Sequence, residues 1–392
     1  MQPFEGVDVL DLTQSIAGPV STAMLASMGA NVVKLEPPDG DAFRGMLGGA
    51  MFTYANRGGK RSIAVDLKTE EGATVARDLA RRADVVVESF RPGVVEKFGL
   101  DYETTRAENP GVVYCSVSGF GQGGPYRDYP AYDPVVQAAS GLMSVIGYPD
   151  RPPVRIGASV IDCGTGANAA FMMASALRER ERTGEGEYID MSLFDVAVSW
   201  MGYWLAYYDS VGETPRRAGS RLHGFAPNNV FEAGDGDALY MSAISDHLYE
   251  RVCRAVDRED LLDDERFGSP DDRWDNREVL EAELAETFAR YERDALVERL
   301  AAAGVPTGPL QGVTDLLDDD HLAARDLVTE TENVERDRRV RTAAYPLRTR
   351  EGLPDLADPP SLGEHTREVL ADLGVAESEV DRLLEEDVVR DA

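Results

Sequence analysis

The first third of the chain alternates short apolar runs with segments of helical periodicity. Residues 7–12, four of which are apolar, predict a strand, and residues 20–28 predict the helix that follows it. Pro19 lies near the start of this helix and Gly29 just beyond its end, which is where these two residue types favour helix boundaries. Residues 31–36 predict the next strand, so the segment forms one strand–helix–strand unit.

The alternation continues to residue 117, with predicted strands at 62–67, 84–88 and 112–117 and predicted helices at 69–82 and 93–98. Strands that alternate with helices predict an α/β fold with a doubly wound parallel sheet. The first turn lacks the G-x-G-x-x-G pattern, which argues against a dinucleotide site. Ligands are still expected at the carboxyl ends of the strands.

The pattern changes after residue 212, where a loop rich in Arg, Gly and Pro begins. We predict a large Rossmann-like domain over residues 1–212, a smaller α+β domain over 213–325, and a C-terminal segment over 326–392 that returns to the large domain. Further elements are predicted as helices at 135–144, 193–208, 246–256 and 276–302 and as strands at 230–231 and 238–243.

The chain is strongly acidic: 71 acidic residues against 40 basic ones give a net charge of −31. This excess argues against binding to nucleic acid or to anionic membranes. It fits either an ordinary soluble surface or adaptation to high salt, where screening removes the cost of self-repulsion. The start of the chain lacks a signal-peptide pattern and no apolar run reaches a membrane span, so we expect a cytoplasmic protein. The cysteine and histidine spacings predict no disulfide and no metal site.

Asp162 is the candidate nucleophile. The run that begins at Ile156 leads Asp162 into a Gly-x-Gly turn at Gly164 and Gly166, with a helix predicted from 167 to 177. A carboxylate beside the unpaired N–H groups of a helix start has the parts of covalent acyl transfer, a nucleophile and oxyanion donors. The simpler interpretation is that Asp162 only caps the helix, because Asp is a favoured N-cap.

Two basic segments offer a place for an anionic ligand. Residues 56–62 surround two glycines with three cations, a composition suited to phosphate, although a basic surface turn is the simpler interpretation. Residues 88–93 end a strand with an aromatic ring and a cation, suited to an adenine face and a phosphate. An acidic protein must concentrate positive charge where an anionic ligand binds, and all the lysines lie in the first quarter of the chain.

Together these segments resemble the family III CoA-transferases, the superfamily that includes formyl-CoA transferase and the CaiB and BaiF proteins. The resemblance rests on ordered motifs at residues 17–19, 33–36, 56–62, 66–68, 89–93, 118–121, 132–133, 183–186 and 304–309. It implies two chains interlocked as a homodimer, CoA as part of the substrates without a further cofactor, and Asp162 as the catalytic residue.

The resemblance and the charge pattern also define candidate binding residues. Those expected to contact CoA are Ile16, Ala17, Lys34, Arg57, Lys60, Arg61, Lys68, Ser89, Phe90, Arg91 and Lys97. Those expected to contact the carboxylic acid are Arg44, Tyr132, Gly164, Arg221 and His223. Ile16, Pro37 and Ser118 replace a glutamine, an arginine and a lysine of formyl-CoA transferase, so its oxalate and formate specificity is not carried over.

The reaction class depends on Tyr132, which stands where the related α-methylacyl-CoA racemases have a histidine. A racemase needs two acid/base groups flanking the α-carbon, and a phenol stays protonated near neutral pH. A transferase is therefore favoured, with a racemase as the alternative and a non-catalytic CoA-binding protein as the third hypothesis. The chain also resembles salt-adapted transferases that use succinyl-CoA and mesaconate, which implies succinyl-CoA as donor and a dicarboxylate such as mesaconate as acceptor.

Overall fold

The computed structural model describes residues 1–354 and 356–392, which form two compact units. The first consists of Met1–Leu142, Ile156–Tyr203 and Asp320–Ala392. The second consists of Met143–Arg155 and Trp204–Asp319. The limits of these units differ from the predicted boundaries at 212 and 325, and the second unit also includes a short earlier segment that the composition does not mark.

The described residues form twelve strands and fifteen α-helices. The strands are β1 Asp8–Leu12, β2 Asn31–Glu36, β3 Arg61–Val65, β4 Val85–Glu88, β5 Val113–Ser118, β6 Glu187–Ser192, β7 Asn228–Glu232, β8 Ala238–Ser242, β9 Thr307–Pro309, β10 Val328–Asn333, β11 Arg338–Ala343 and β12 Val389–Arg390. The α-helices are α1 Ala17–Ser27, α2 Ala50–Ala55, α3 Glu70–Arg82, α4 Tyr102–Glu108, α5 Asp133–Ala139, α6 Val160–Thr183, α7 Leu193–Trp200, α8 Gly202–Val211, α9 Asp246–Ala255, α10 Pro270–Asp275, α11 Arg277–Phe288, α12 Arg293–Ala302, α13 Asp320–Ala324, α14 Thr366–Asp372 and α15 Glu377–Glu385.

The main sheet of the first unit has the strand order β12-β3-β2-β1-β4-β5-β6. Strands β1 to β6 pair in parallel, and β12 adds an antiparallel strand beside β3. Because the connections run outward in opposite directions from β1 and β4, a crevice opens where the carboxyl ends of these two strands meet. The parallel α/β sheet thus agrees with the expected fold class.

Both faces of this sheet are covered, as a doubly wound fold requires. Successive side chains of a strand point to opposite faces. Val9 of β1 packs in one apolar cluster with Leu25 of α1 and Met173 of α6. Its neighbour Leu10 packs in the other cluster, which includes residues of α3 and α14.

The second unit contains the antiparallel sheet β7-β8-β9. Its core joins Phe231 and Leu239 of this sheet to residues of α9, α11 and α12, such as Leu284. In the first unit, β10 and β11 form a separate antiparallel pair. Among the described residues, none of the helices combines the length and the apolar character needed to cross a membrane.

The Gly-x-Gly turn predicted at Gly164 and Gly166 is wrong, because both glycines lie inside a helix and allow other helices to pack against it. Helix α6 begins at Val160, which places Gly164 and Gly166 inside it. A Cβ on Gly166 would lie 2.7 Å from the carbonyl oxygen of Ala17, and one on Gly164 would lie 2.3 Å from the ring of Trp200. Only glycine permits such approaches, so this pair brings α1 and α7 against α6.

Other differences concern breaks within helical patterns. The helix predicted over 193–208 is interrupted at Met201, between α7 and α8, and the one over 276–302 divides into α11 and α12. Helices α2 and α4 and strand β6 are additional to the predicted set. Apolar periodicity alone continues through such breaks, because the residues on both sides still face the core.

Candidate active site

A cleft of ≈ 500 Å³ lies at the crevice between the carboxyl ends of β1 and β4. The loop after β1 contributes Gln14 and Ser15, and the loop after β4 contributes Ser89 and Phe90. The backbone N–H of Gln14 donates to Ser89 Oγ at 2.9 Å, which ties the two loops together. Ser15 has a φ of 72°, a left-handed conformation that is uncommon for a residue other than glycine. The cleft is therefore lined by a loop held in a defined and unusual conformation.

Asp162 lines this cleft from the first turn of α6. The residue is 9% exposed. Its carboxylate accepts no hydrogen bond from the part of the chain that the structure describes, whereas most buried carboxylates are paired. The group is thus positioned to react with a molecule that enters the cleft.

The start of α6 is capped by Asp133. Its Oδ2 accepts the backbone N–H of Ile161 at 2.7 Å and of Asp162 at 3.2 Å. The amide of Gln137 donates to Oδ1 of the same carboxylate and accepts the N–H of Ile156 at 2.9 Å. Asp162 is therefore not the cap, and two N–H groups that were expected to bind an oxyanion are already occupied.

The environment of Asp162 favours its neutral form. Burial, followed by the negative charge of Asp133, raises the pKa of Asp162 to about 7. A carboxylate with a pKa in this range is more basic, and therefore a better nucleophile, than an ordinary aspartate.

Cys163 is the neighbouring nucleophile candidate. Its thiol is half-buried, with the Tyr54 hydroxyl at 3.9 Å from Sγ. Burial raises the pKa of this thiol, so little thiolate forms at neutral pH. Cys163 is not among the residues that line the cleft.

Two lysines that were expected to contact CoA, Lys34 and Lys60, are buried instead. Lys34 Nζ donates to the Thr13 carbonyl at 2.7 Å, and Lys60 Nζ donates to the Pro19 carbonyl at 2.8 Å. Both carbonyls flank the loop after β1. Lys60 also pairs with Asp11 Oδ2 at 2.9 Å. Since both lysines are at most 2% exposed, these cations fix the loop and do not reach a ligand.

The charges of this buried cluster stabilise one another. Burial, and then the nearby charge of Lys34, lowers the pKa of Lys60 to about 8, although Asp11 opposes this change. Burial opposes ionisation of Asp11 as well, but Lys60 and Lys34 hold its pKa far below the usual value. The pair is therefore charged at neutral pH and completes a bonded support for the loop.

The remaining predicted cations of the first unit, apart from Arg91, do not line the cleft. Arg44 is buried against Glu36, with Nη2 at 2.7 Å from Oε1. Arg57 donates to Thr329 Oγ1 at 2.9 Å. Arg61 pairs with two carboxylates, and the side chains of Lys68 and Lys97 are exposed outside the cleft.

Ile16 and Gly164 are the two predicted apolar site residues that the structure places elsewhere. Ile16 is buried in an apolar cluster with Val20 and Phe43. Gly164 packs against Trp200, as described above. Both positions shape helices that border the cleft without lining it.

Arg221 and His223 belong to the second unit. Arg221 Nε donates to Glu281 Oε1 at 2.9 Å, so its charge is already paired. The ring of His223 lies against Trp204, Tyr207 and Trp274. Both sets of contacts are structural interactions within that unit.

The structure brings six of the predicted site residues together in the cleft: Ala17, Ser89, Phe90, Arg91, Tyr132 and Asp162. It adds Gln14 and Arg127, which the sequence reasoning missed. The signal available for Arg127 was weak, since it is one arginine in a Gly/Pro/Tyr-rich loop before Tyr132. Within the described residues, Arg127 Nε has no hydrogen-bond acceptor.

Comparison with known proteins gives one consistent result. The model of CoA-transferase family III matches residues 4–366. The succinyl-CoA:mesaconate CoA-transferase of Haloarcula hispanica is 37% identical, over 96% of this chain and 97% of its own. The succinate–glutarate CoA-transferase of Agrobacterium fabrum is 36% identical, over 96% of both chains. A CaiB/BaiF family protein from Brucella suis matches with a TM-score of 0.85 and 35% identity, over 95% of this chain and 99% of its own.

Proposed function

Because the chain belongs to CoA-transferase family III, we propose that it transfers CoA from succinyl-CoA to a second dicarboxylate, with mesaconate as the first candidate acceptor. The relatives described above are named for succinate, mesaconate and glutarate, each of which has two carboxylates. CoA enters as part of the substrates, and no further cofactor is proposed.

The observation that carries the proposal is Asp162, a carboxylate in the cleft with no hydrogen-bond donor from the described chain. Its carboxylate attacks the thioester carbonyl of succinyl-CoA and expels the CoA thiolate, which gives a mixed anhydride. The thiolate then attacks the aspartyl carbonyl of that anhydride, which releases succinate and leaves an aspartyl-CoA thioester.

The second half of the reaction reverses these steps. The acceptor carboxylate attacks the aspartyl-CoA carbonyl, so that a new mixed anhydride forms and CoA thiolate is expelled again. Attack of the thiolate on the acceptor's carbonyl gives the new acyl-CoA and regenerates the carboxylate of Asp162. Atoms and charge balance without water, so exclusion of water from the cleft protects both intermediates.

The oxyanions need donors other than the start of α6, whose N–H groups Asp133 occupies. We assign this role to the backbone N–H groups of Ala17 and Gly18, which line the cleft at the start of α1. The first N–H groups of a helix have no partner within it, and Ile16 supplies no side-chain cap. The two buried lysines donate to the carbonyls of Thr13 and Pro19, which lie on either side of these donors in the chain.

Ser89, Phe90 and Arg91 are proposed to bind CoA from the loop after β4. Arg91 is exposed and supplies a cation for a phosphate, while Phe90 offers an apolar ring beside it. The resemblance to the family further implies an interlocked homodimer, and sedimentation of the purified protein would test whether it is a dimer.

A racemase is the competing activity, and Tyr132 is the residue that separates the two. It lines the cleft and is 65% exposed. A transferase makes no demand for α-proton exchange. An α-methylacyl-CoA ester incubated with the enzyme in deuterated water should therefore gain no deuterium, and incorporation at catalytic rates would favour the racemase.

The direct test uses the wild-type protein with succinyl-CoA and a panel of carboxylic acids in molar KCl, with new thioesters identified by mass spectrometry. We expect a mesaconyl or related dicarboxyl thioester. Asp162→Ala should retain less than about 1% of the transfer because the nucleophile is absent. Treatment of the loaded enzyme with hydroxylamine should modify the peptide that contains Asp162.

Cys163→Ser serves as the matched control, because it removes the adjacent nucleophile and leaves Asp162 in place. It should keep transfer within about threefold of wild type. An active Asp162→Ala variant, or an inactive Cys163→Ser variant of normal stability, would contradict the mechanism.

A further inference from the structure

Arg127 has a buried donor without an acceptor. Its Nε is shielded from solvent and has no hydrogen-bond partner among the described residues. This is so although the chain has 71 acidic residues and the adjacent residue is Asp128. A buried polar group left unsatisfied carries a desolvation cost, which a bound anion would remove.

Arg127 lines the same cleft as Asp162. Two kinds of anion enter that cleft in the proposed reaction, the phosphates of CoA and the second carboxylate of the dicarboxylate. The pantetheine arm of CoA separates the phosphates from the reacting thioester. The second carboxylate, by contrast, stays within a few bonds of the carbonyl that Asp162 attacks.

The chain connects Arg127 to the nucleophile. The segment that carries Arg127 continues through Tyr132 to Asp133, whose side chain accepts the backbone N–H groups of Ile161 and Asp162. Arg91 is on a different loop, follows Phe90, and is exposed. From these positions we expect Arg91 to bind the CoA phosphates and Arg127 to bind the acyl group of the substrate.

We propose that Arg127 binds the second carboxylate of the dicarboxylate substrate and thereby selects diacids over monoacids. The inference rests on the proposed transferase function. A guanidinium binds a carboxylate through two parallel hydrogen bonds, which lysine cannot reproduce. Arg44, one of the candidates that the sequence offered for binding the acid, already makes such a pair with Glu36.

The test compares two thioesters of equal length, succinyl-CoA and butyryl-CoA, which differ by a carboxylate in place of a methyl group. The measured quantity is the single-turnover rate constant for consumption of the acyl-CoA with release of its free acid in wild type, Arg127→Gln and Arg127→Lys. Arg127→Gln should slow the reaction of succinyl-CoA about 30-fold or more and that of butyryl-CoA less than about threefold. Arg127→Lys should give an intermediate loss, and the Kd for free CoA should stay the same in all three proteins.

Arg178→Gln controls for the loss of one positive charge, since Arg178 is exposed on the same helix as Asp162 and pairs with Glu181. It should leave both rate constants unchanged. An equal loss for the two thioesters with a weaker Kd for CoA would assign Arg127 to a phosphate and overturn the inference. Unchanged rates in a normally folded Arg127→Gln would also overturn it. A wild-type protein that reacts with neither thioester would reject the proposed function itself.

Discussion

Burial and the negative charge of Asp133 both oppose ionisation of the Asp162 carboxyl group. A carboxylate must be ionised to act as a nucleophile. With a pKa of about 7, the first half-reaction should be about tenfold slower at pH 6 than at pH 8 and should approach a plateau above neutrality. Single-turnover release of succinate from succinyl-CoA between pH 5 and 9 measures this dependence.

Asp133→Asn isolates the contribution of the neighbouring charge. The amide oxygen can still accept the N–H groups of α6, but the negative charge is lost. The pKa of Asp162 should therefore fall, and the decrease of the rate in acid, the acid limb of the pH profile, should move to lower pH. Asp128→Asn is the control, because it removes an exposed carboxylate from the same cleft and should leave the limb in place. A limb that stays fixed in Asp133→Asn would show that another group controls it.

At the scale of elements, the loop between β1 and α1 depends on a buried ion pair. Lys60→Met leaves Asp11 buried without its cation, so the free energy of unfolding should fall by about 3 kcal/mol or more. Chemical denaturation of this variant measures the loss. Lys68→Met is the control because Lys68 is exposed, and it should change stability by less than about 0.5 kcal/mol.

The double variant Asp11→Asn/Lys60→Met tests whether the loss in Lys60→Met comes from the unpaired charge of Asp11. Removing both charges should restore part of the stability lost in Lys60→Met, because no uncompensated charge of this pair stays buried. Additive losses in the double variant would mean that the two side chains act independently.

Regular elements followed from the sequence where one periodicity governed them. Strand β2 has the predicted bounds, because Gly29 ends the helix before it and Pro37 and Pro38 follow it directly. The start of α6 was missed, since its cap is the side chain of Asp133, distant along the chain, and since its glycines respond to Ala17 and Trp200 in other helices. The residues around the start of α6 show neither the cap by Asp133 nor the packing of the glycines against other helices.

The site residues, like the regular elements, were only partly predictable from the sequence. Asp162, Phe90 and Arg91 follow from motifs at the ends of elements, and the structure places all three in the cleft. Lys34 and Lys60 were misassigned because a sequence shows a cation without its burial or its partner. Arg127 was missed for the opposite reason, since the lack of a partner is visible only in three dimensions.

For the whole molecule, the net charge of −31 predicts a dependence on salt. Repulsion among surface carboxylates opposes the compact state at low ionic strength, and added salt screens it. The midpoint of thermal unfolding should therefore rise strongly from about 0.1 M to multimolar KCl. Choline chloride at equal ionic strength distinguishes screening from specific binding of potassium, and a flat response to both salts would mean that the acidic surface is of the ordinary soluble kind.

The pairing of β12 with β3 also affects how the chain is made. Val389 pairs with Val65, and the backbone N–H of nearby Gly363 donates to Ser62, 301 positions earlier in the chain. While the ribosome is still synthesising the intervening residues, the outer edge of β3 has no neighbour. An open edge can pair with another nascent chain, so the exposure of this strand lasts as long as translation of the segment that separates it from its partner.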